Sequence, residues 1–181
     1  MKRSAIRRFL TAGAVAASVL TANSAMAAVD MFIKIGNIVG ESQDKDHKNE
    51  VDVLAWSWGA SRGSAQTKKG LLPAACIQDL NFTKYIDSAT PEIILNAVTG
   101  GVVPTARLTV RKAGVTNIEY LKLQMTNVSV SSYSTGGSGG EDRLTENVTL
   151  HFDTMIGVYR RQLVDGAGPE ETFTVSGDCP H

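Results

Sequence analysis

Six large apolar residues in the C-terminal part of this chain all occupy even-numbered positions. They are Leu144, Val148, Leu150, Phe152, Ile156 and Val158. The side chains of a β-strand point alternately to its two faces, so an apolar residue at every second position indicates a strand with one buried face. The spacing predicts one long half-buried strand over residues 144–158, in a fold built mainly from strands.

Other segments alternate in the same way, and one of them changes phase. Shorter period-two patterns cover residues 31–38, 51–59, 76–85 and 106–111. The apolar residues between positions 121 and 125 are odd-numbered, whereas Val128 and Val130 are even-numbered. This change of phase predicts a β-bulge at Thr126 and Asn127.

One helix is predicted over residues 91–98. Asp87 or Ser88 can cap its start, and Gly100 marks its end. Ile94 and Val98 lie one turn apart, so they are expected to pack together onto the sheet. About seven strands, one short helix and glycine-rich turns predict a β-barrel or a β-sandwich.

The first 27 residues have the pattern of a secretory signal peptide. Four basic residues and no acid precede an apolar run at residues 9–20, which is too short to span a bilayer, and Ala25-Met26-Ala27 forms a small-x-small cleavage site. Cleavage leaves 154 residues with 14 basic and 18 acidic side chains, a net charge of −4 that argues against a nucleic-acid partner. No other segment reads as transmembrane, so no membrane insertion is expected.

The two cysteines, Cys76 and Cys179, leave two possibilities open. In an oxidising compartment they could form a disulfide. They could equally remain unpaired, with Cys76 buried as a small apolar residue and Cys179 free in a tail. Residues 163–181 are expected to form that C-terminal tail, with one short β-like patch at residues 172–175.

No catalytic, cofactor or metal site is predicted. The histidines His47, His151 and His181 occur in no serine–acid arrangement and in no H-E-x-x-H spacing, and there is no C-x-x-C. The glycine-rich residues 136–140 are followed by acids, which would repel a phosphate group. These residues alone predict a secreted β-rich domain that is not an enzyme.

Two tryptophans flank a small polar residue in the segment at residues 51–59. Trp56 and Trp58 are expected to pack on one face of a sheet, which places Ser57 on the opposite face. A second possibility is that the aromatic pair anchors a neighbouring subunit. A small polar residue at position 57 suits a surface that is wet or that accepts a guest.

Several stretches of the chain resemble the haemolysin-coregulated protein (Hcp) family of type VI secretion. They follow the family's order, at residues 29–36 (VDMFIKIG), 50–59 (EVDVLAWSWG), 79–87 (DLNFTKYID), 106–114 (ARLTVRKAG) and 131–147 (SSYSTGGSGGEDRLTEN). The resemblance implies a mainly β fold for residues 28–162, a two-sheet β-barrel with one α-helix packed on its side. It also implies homo-hexameric rings that stack into an inner tube, with a spike protein, a sheath protein and small effectors as partners and no reaction of their own.

The resemblance also suggests which residues meet other molecules. Ser57 is expected to face the lumen of the ring, where cargo would lie. The polar loop at residues 41–50 (ESQDKDHKNE) is expected to be solvated and extended, and free to reach a neighbouring subunit. The candidates for that interface are Glu41, Asp44, Asp46, His47 and Glu50.

The N-terminal extension leaves two hypotheses open. A functional signal peptide would export the mature chain to the periplasm or the medium, whereas translation from Met26 would give a cytoplasmic tube subunit released by type VI secretion. The first hypothesis is a ring-forming tube protein and effector carrier. The second is an exported binding or interaction protein that keeps the fold without tube assembly.

Overall fold

The structure is a computed structural model that describes residues 29–62, 75–113, 117–140, 142–163, 166–177 and 179. The predicted signal peptide and the alternative start at Met26 lie outside these residues. Within them, the elements in chain order are β1 (Val29–Ile35), β2 (Val51–Asp52), β3 (Ala55–Ser57), β4 (Ala60–Arg62), β5 (Ala75–Ile77), β6 (Leu80–Tyr85), α1 (Thr90–Thr99), β7 (Val102–Lys112), β8 (Glu119–Gly136), β9 (Thr145–His151), β10 (Thr154–Leu163) and β11 (Gly166–Ser176).

Nine of the strands form one sheet that curls into a barrel. Seven of them follow the hydrogen-bonded order β2-β1-β7-β8-β9-β6-β3, and β10 pairs with both β8 and β11. Val53 and Leu54, which lie between β2 and β3, connect the two ends of this order. The Val53 N–H donates to the Met31 carbonyl of β1 at 2.9 Å, and the Leu54 N–H donates to the Thr83 carbonyl of β6 at 2.8 Å. With a second, two-stranded sheet and one helix, the predicted mainly β barrel fold is confirmed.

The core fills the inside of this barrel. Strands on all sides contribute apolar side chains that are almost completely removed from water, and burial of that surface is the main force that holds the sheet curled. The largest of these fully buried apolar side chains in the strands are Ile33, Ile35, Leu80, Phe82, Leu108, Leu123, Met125, Leu150 and Met155.

β8 bends at Asn127, and the buried face of the strand changes there. Asn127 adopts a left-handed φ of 51°, and its side chain donates a hydrogen bond to Asp153 at 2.8 Å. Met125 and Val128, on either side of it, are both fully buried. β7 and β8 keep one register through the bend, so no residue is inserted at this point and the predicted bulge is wrong. A register shift in β8 occurs later, between Val130 and Ser132.

The predicted long strand over residues 144–158 is two strands. β9 and β10 pair with β8 on opposite sides of its bend. Val148 and Leu150 are buried in β9, but in β10 the buried side chain is Met155 and Ile156 is 41% exposed. The single-strand prediction is therefore wrong, because the run of even-numbered apolar residues crosses two strands whose inward faces have opposite parity.

Much of the predicted C-terminal tail is a strand. β11 pairs with β10 from Thr154↔Ser176 to Leu163↔Gly166. Two ion pairs, Arg160–Glu170 and Arg161–Glu171, link the exposed side chains of the two strands. The expectation of a loose segment is corrected for residues 166–176.

A buried ion pair fastens the helix to the barrel. The Lys84 ammonium lies 2.7 Å from the Glu146 carboxylate and 2.7 Å from that of Asp87. The hydroxyls of Thr90, in the first turn of α1, and of Tyr133 both donate to Glu146. Burial and the neighbouring Glu146 carboxylate raise the pKa of Tyr133. Lys84, Asp87 and Thr90 are close together in the sequence, whereas Tyr133 and Glu146 come from β8 and β9, so the network ties the start of the helix to the barrel.

The helix contacts the barrel through Ile93, and the predicted contact through Ile94 and Val98 is wrong. Ile93 is fully buried, whereas Ile94 is 37% and Val98 is 75% exposed. The N-cap is Ala89, with no side-chain capping bond; the Asp87 carboxylate instead accepts a hydrogen bond from the Ala89 N–H. One residue along a helix is a rotation of about 100°, enough to exchange the packed and exposed positions.

Substitution of Ile93 tests this packing against a matched control. Ile93→Ala should lower the free energy of unfolding by about 2–5 kcal/mol, because it leaves a cavity against the barrel. Ile94→Ala, the same change one position along the helix, should cost below about 1 kcal/mol. Urea unfolding followed by tryptophan fluorescence measures both values, and equal losses would contradict the assignment of the buried face.

Candidate functional site

Ser57 lies in β3 with its side chain exposed, between two half-buried tryptophans. Trp56 and Trp58 pack against the hydrophobic core. Ser57 points away from that core, since neighbouring residues of a strand face opposite sides. The structure therefore shows the alternation that the sequence predicts here. The position of Ser57 relative to a ring lumen remains a prediction.

Ser57 belongs to a wider surface made of small, uncharged side chains. Cross-strand pairs extend it from β3 through β6 and β9 to β8, in the rows Ser57↔Asn81↔Thr149↔Ser132 and Ala55↔Thr83↔Asn147↔Ser134. We call these eight residues the Ser57 face. Asn81 donates to the Thr149 hydroxyl at 3.0 Å, and the Thr83 hydroxyl donates to Asn147 at 2.7 Å. These cross-strand bonds satisfy polar groups within the face, and none of its eight side chains carries a charge.

A group of polar residues borders the Ser57 face beside a cavity of about 570 Å³. The His151 Nδ1 atom lies 3.0 Å from the Asp79 carboxylate, and the Ser131 hydroxyl donates to the other oxygen of Asp79 at 2.6 Å. A serine nucleophile needs its hydroxyl on a histidine base, but Ser131 donates to the acid itself. The group therefore fixes the side chains at this edge rather than activating a nucleophile.

The loop at residues 41–50 is folded onto its own barrel. Ser42, His47 and Glu50 are buried, so the expectation of a fully solvated, extended loop is wrong. The Gly40 N–H donates to the Asn49 carbonyl, which closes the base of the loop. Its shape is therefore set by contacts within the chain.

Arg111 of β7 is the main attachment point of this loop. Its guanidinium donates to both oxygens of Asp44, at 3.0 and 2.6 Å, and to Asp30 at 2.9 Å. It also lies over the Phe32 ring, 5.0 Å from the ring centre. The hydrogen bonds from Arg111 hold the pKa of Asp44 well below its usual range. The same pairing raises the pKa of Arg111.

His47 joins the loop to the start of β8. Its ring stacks on Phe32 with 4.2 Å between ring centres, and its two nitrogens lie 2.9 Å from Glu50 and 3.1 Å from Glu119. A neutral imidazole carries one N–H, so both contacts are hydrogen bonds only when His47 is protonated or a carboxyl carries a proton. Burial would raise the pKa of Glu119, but Lys122 and His47 outweigh it and lower that pKa.

All five interface candidates make contacts within the same chain. Beyond the bonds of Asp44, His47 and Glu50, Glu41 accepts from the Ser88 N–H at 2.9 Å and Asp46 pairs with Lys45 at 2.8 Å. Their role between subunits stays a prediction.

Sequence reasoning missed the partners of this loop, Arg107, Arg111 and Glu119. The available signal was an acid-rich loop together with two arginines on the polar face of one alternating strand. Arg107 donates to Glu50 at 3.3 Å, which completes the attachment of the loop to β7.

Cys76 and Cys179 form a disulfide. Cys76 lies in β5, and Cys179 follows β11, so the bond joins the small two-stranded sheet to the end of the β10–β11 hairpin. The two residues are 103 positions apart. Of the two possibilities that the sequence leaves open, the structure therefore shows the disulfide.

Neither a metal site nor a membrane-spanning helix occurs in the described part of the chain. No group of three or more histidine, cysteine, aspartate or glutamate side chains is arranged to hold a metal ion there. No helix in that part of the chain is long and apolar enough to cross a bilayer.

A family model described as "Type VI secretion system effector, Hcp" matches residues 32–159. The chain belongs to the Hcp family. The matched range contains all four strands of the Ser57 face, the loop at residues 41–50 and α1. The sequence resemblance to Hcp is therefore confirmed.

Hcp relatives match over most of their length. Protein hcp1 of Pseudomonas aeruginosa strain PAO1 is 54% identical over 143 residues, which are 77% of this chain and 88% of that protein. A solved structure of a type six secretion system protein is 29% identical with a TM-score of 0.77, over 82% of this chain and 96% of that one. Hcp1 of Salmonella typhimurium is 35% identical with a TM-score of 0.66, over 83% and 95%.

These comparisons assign the chain to a structural family. Hcp is the tube protein of type VI secretion, and neither the family description nor the names of these relatives is that of an enzyme. The lack of a predicted catalytic arrangement agrees with that assignment.

The Asp44–Arg111 contact should make the free energy of unfolding depend on pH in the acidic range. A carboxyl whose folded pKa is depressed stabilises the fold above its unfolded pKa, and that contribution is lost as the pH falls through the folded value. Asp44→Asn should therefore cost about 1.5–3 kcal/mol at pH 7, the range for hydrogen bonds to charged groups. The difference from wild type should shrink below about pH 4. Urea unfolding of both proteins between pH 2 and pH 7 measures it, and a difference independent of pH would contradict the role of the ionised Asp44.

Proposed function

We propose that this chain is the subunit of the inner tube of a type VI secretion system, assembled as hexameric rings that stack and carry small effectors. The observation that carries the proposal is the Hcp family match over residues 32–159, which includes every strand of the Ser57 face. A spike protein at the tip and a sheath around the tube are the proposed partners.

The chemistry of the Ser57 face supports its assignment to the lumen. Its eight side chains are small, and none carries a charge. Many of its polar groups already bond to one another, as in the Asn81–Thr149 and Thr83–Asn147 pairs. Such a wall offers weak, reversible hydrogen bonds to a passing effector and no strong electrostatic or apolar trap.

The folded loop at residues 41–50 supports its assignment to the contact between subunits. Its inner side chains are held by Arg111 and Glu119, while Gln43, Lys45 and Lys48 are exposed. A surface that is already ordered loses less conformational entropy when it binds. A ring closes when two different patches of each subunit meet, and we assign this loop to one of them.

Light scattering tests the ring directly. The mature chain, residues 28–181, should elute from a size-exclusion column with six times the subunit mass. A monomer at every concentration would overturn the tube proposal and favour an interaction protein without tube assembly.

The matched variants Ser57→Glu and Ser57→Ala extend this test to the lumen. Both should keep the mass of the ring, because the residue faces away from the core. Ser57→Glu should reduce the small proteins retained by purified rings, measured by mass spectrometry, and Ser57→Ala should not. Loss of the ring in Ser57→Glu alone would place Ser57 in a subunit contact.

A second candidate function is that of an exported interaction protein. It is favoured by the signal-peptide pattern of residues 1–27 and by the disulfide between Cys76 and Cys179, since disulfides are typical of proteins outside the cytoplasm. In this case the signal peptide, and not only the type VI machine, delivers the chain to the periplasm or the medium.

Intact-mass analysis of the secreted chain decides between the two routes. Export by the signal peptide should give a chain that begins at Ala28 and has two hydrogens fewer than its reduced form. A chain that begins at Met26 or Ala27, with both thiols open to alkylation, would identify a cytoplasmic tube subunit released by type VI secretion.

A further inference from the structure

The small sheet of β4 and β5 has few connections to the barrel. In the described chain the two strands pair only with each other, through Ala60↔Ile77, Ser61↔Cys76 and Arg62↔Ala75. A two-stranded sheet is marginally stable by itself in water. The side chains of β4 are all exposed, so burial contributes little on that side. Its position therefore depends on the burial of Ile77, the last residue of β5, in the core and on individual contacts at its base.

Besides the packing of Ala75 and Ile77 on the core, two contacts hold that base. The Gln78 N–H donates to the Gly59 carbonyl at 3.0 Å, which closes the end of the pair nearest the barrel. The second contact is the disulfide from Cys76 to Cys179. This bond connects the small sheet to the residues that follow β11.

β11 is itself a peripheral element. It pairs with β10 on one side, and all of its side chains are exposed or partly buried, with Val175 packed against the core. Phe173 of β11 stacks on Trp58, with 6.3 Å between ring centres, and Trp58 directly follows Ser57. The disulfide and this stack thus link β11 to the chain segment that runs from β3 into β4.

We propose that the Cys76–Cys179 disulfide is a redox switch that orders the β4–β5 sheet and the end of β11 while the barrel stays folded in both states. The barrel core supports this separation. Among the described residues, its buried side chains lie mainly in β1, β2, β6–β10 and α1; β5 contributes Ile77 alone, and β4 and β11 contribute none.

The sulfur atoms are accessible to a small reductant. Cys76 and Cys179 are only partly buried, and Cys179 lines the cavity that also contains Asp79, Ser131 and His151. We name a dithiol as the reductant. Its thiolate attacks one sulfur and breaks the Cys76–Cys179 bond, and its second thiol then releases the mixed disulfide. The dithiol becomes a disulfide, and its two protons end on the two cysteine thiols.

The switch would give the same chain two forms in two compartments. In an oxidising compartment the small sheet is held to β11, and in a reducing one it is released. Because the two elements flank the strand that carries Ser57, the redox state changes the surroundings of the proposed lumen face. This inference concerns the single subunit, so it holds or fails separately from ring assembly.

Hydrogen–deuterium exchange with mass spectrometry tests the switch on the mature chain. Dithiothreitol should speed amide exchange at least tenfold in residues 60–62, 75–77 and 172–176. Exchange in β7 and β8 should stay unchanged. Oxidised glutathione added after removal of the dithiothreitol should restore the slow exchange.

The double variant Cys76→Ser/Cys179→Ser is the matched control. It should show the fast exchange of the reduced chain in the same three segments and should not respond to dithiothreitol. Equal exchange in oxidised and reduced wild type would overturn the proposal. Faster exchange throughout β7 and β8 on reduction would also overturn it, because the disulfide would then stabilise the whole fold.

Discussion

The buried ion pair between Lys84 and Glu146 determines how the helix and the barrel fit together. Both side chains are fully buried, and they come from the neighbouring strands β6 and β9. Removing one partner of such a pair leaves an uncompensated buried charge, which typically costs about 3–5 kcal/mol. Thr90 and Asp87 complete the network from the start of α1, so the rotation of the helix follows from it. Ile93 then enters the core, and Ile94 and Val98 remain outside.

A bend shared by neighbouring strands shapes the rest of the barrel. At Asn127 the inward face of β8 changes parity, and the same change separates β9 from β10. The pairing of β7 with β8 keeps one register through this bend, so the sheet curves there around one core without an inserted residue. One consequence is that β3, β6, β8 and β9 present two adjoining outer rows of small, uncharged side chains. The Ser57 face is a product of this geometry together with the choice of serine, threonine and asparagine at those positions.

The two surfaces assigned to function differ in how they are ordered. The Ser57 face is ordered by regular strand pairing, and its side chains bond across the strands. The loop at residues 41–50 has no regular structure and is ordered by polar side-chain contacts, chiefly those of Asp44 with Arg111 and of His47 with Glu50 and Glu119. A neutral wall suits transient contact with cargo, whereas a charged but preorganised loop suits a specific contact with another subunit.

The sequence by itself determined the family, the predominance of strands and the opposite facing of Ser57 and its two tryptophans. These features depend on motifs and on the two-residue period of a strand, which are local properties. Only the tertiary structure decided the buried face of the helix, the break between β9 and β10, and the burial of the polar loop. Asp44 and Arg111 lie 67 residues apart, and Lys84 and Glu146 lie 62 apart. The sequence shows the charge of each residue but does not identify its partner, because the contact exists only after the intervening strands have paired.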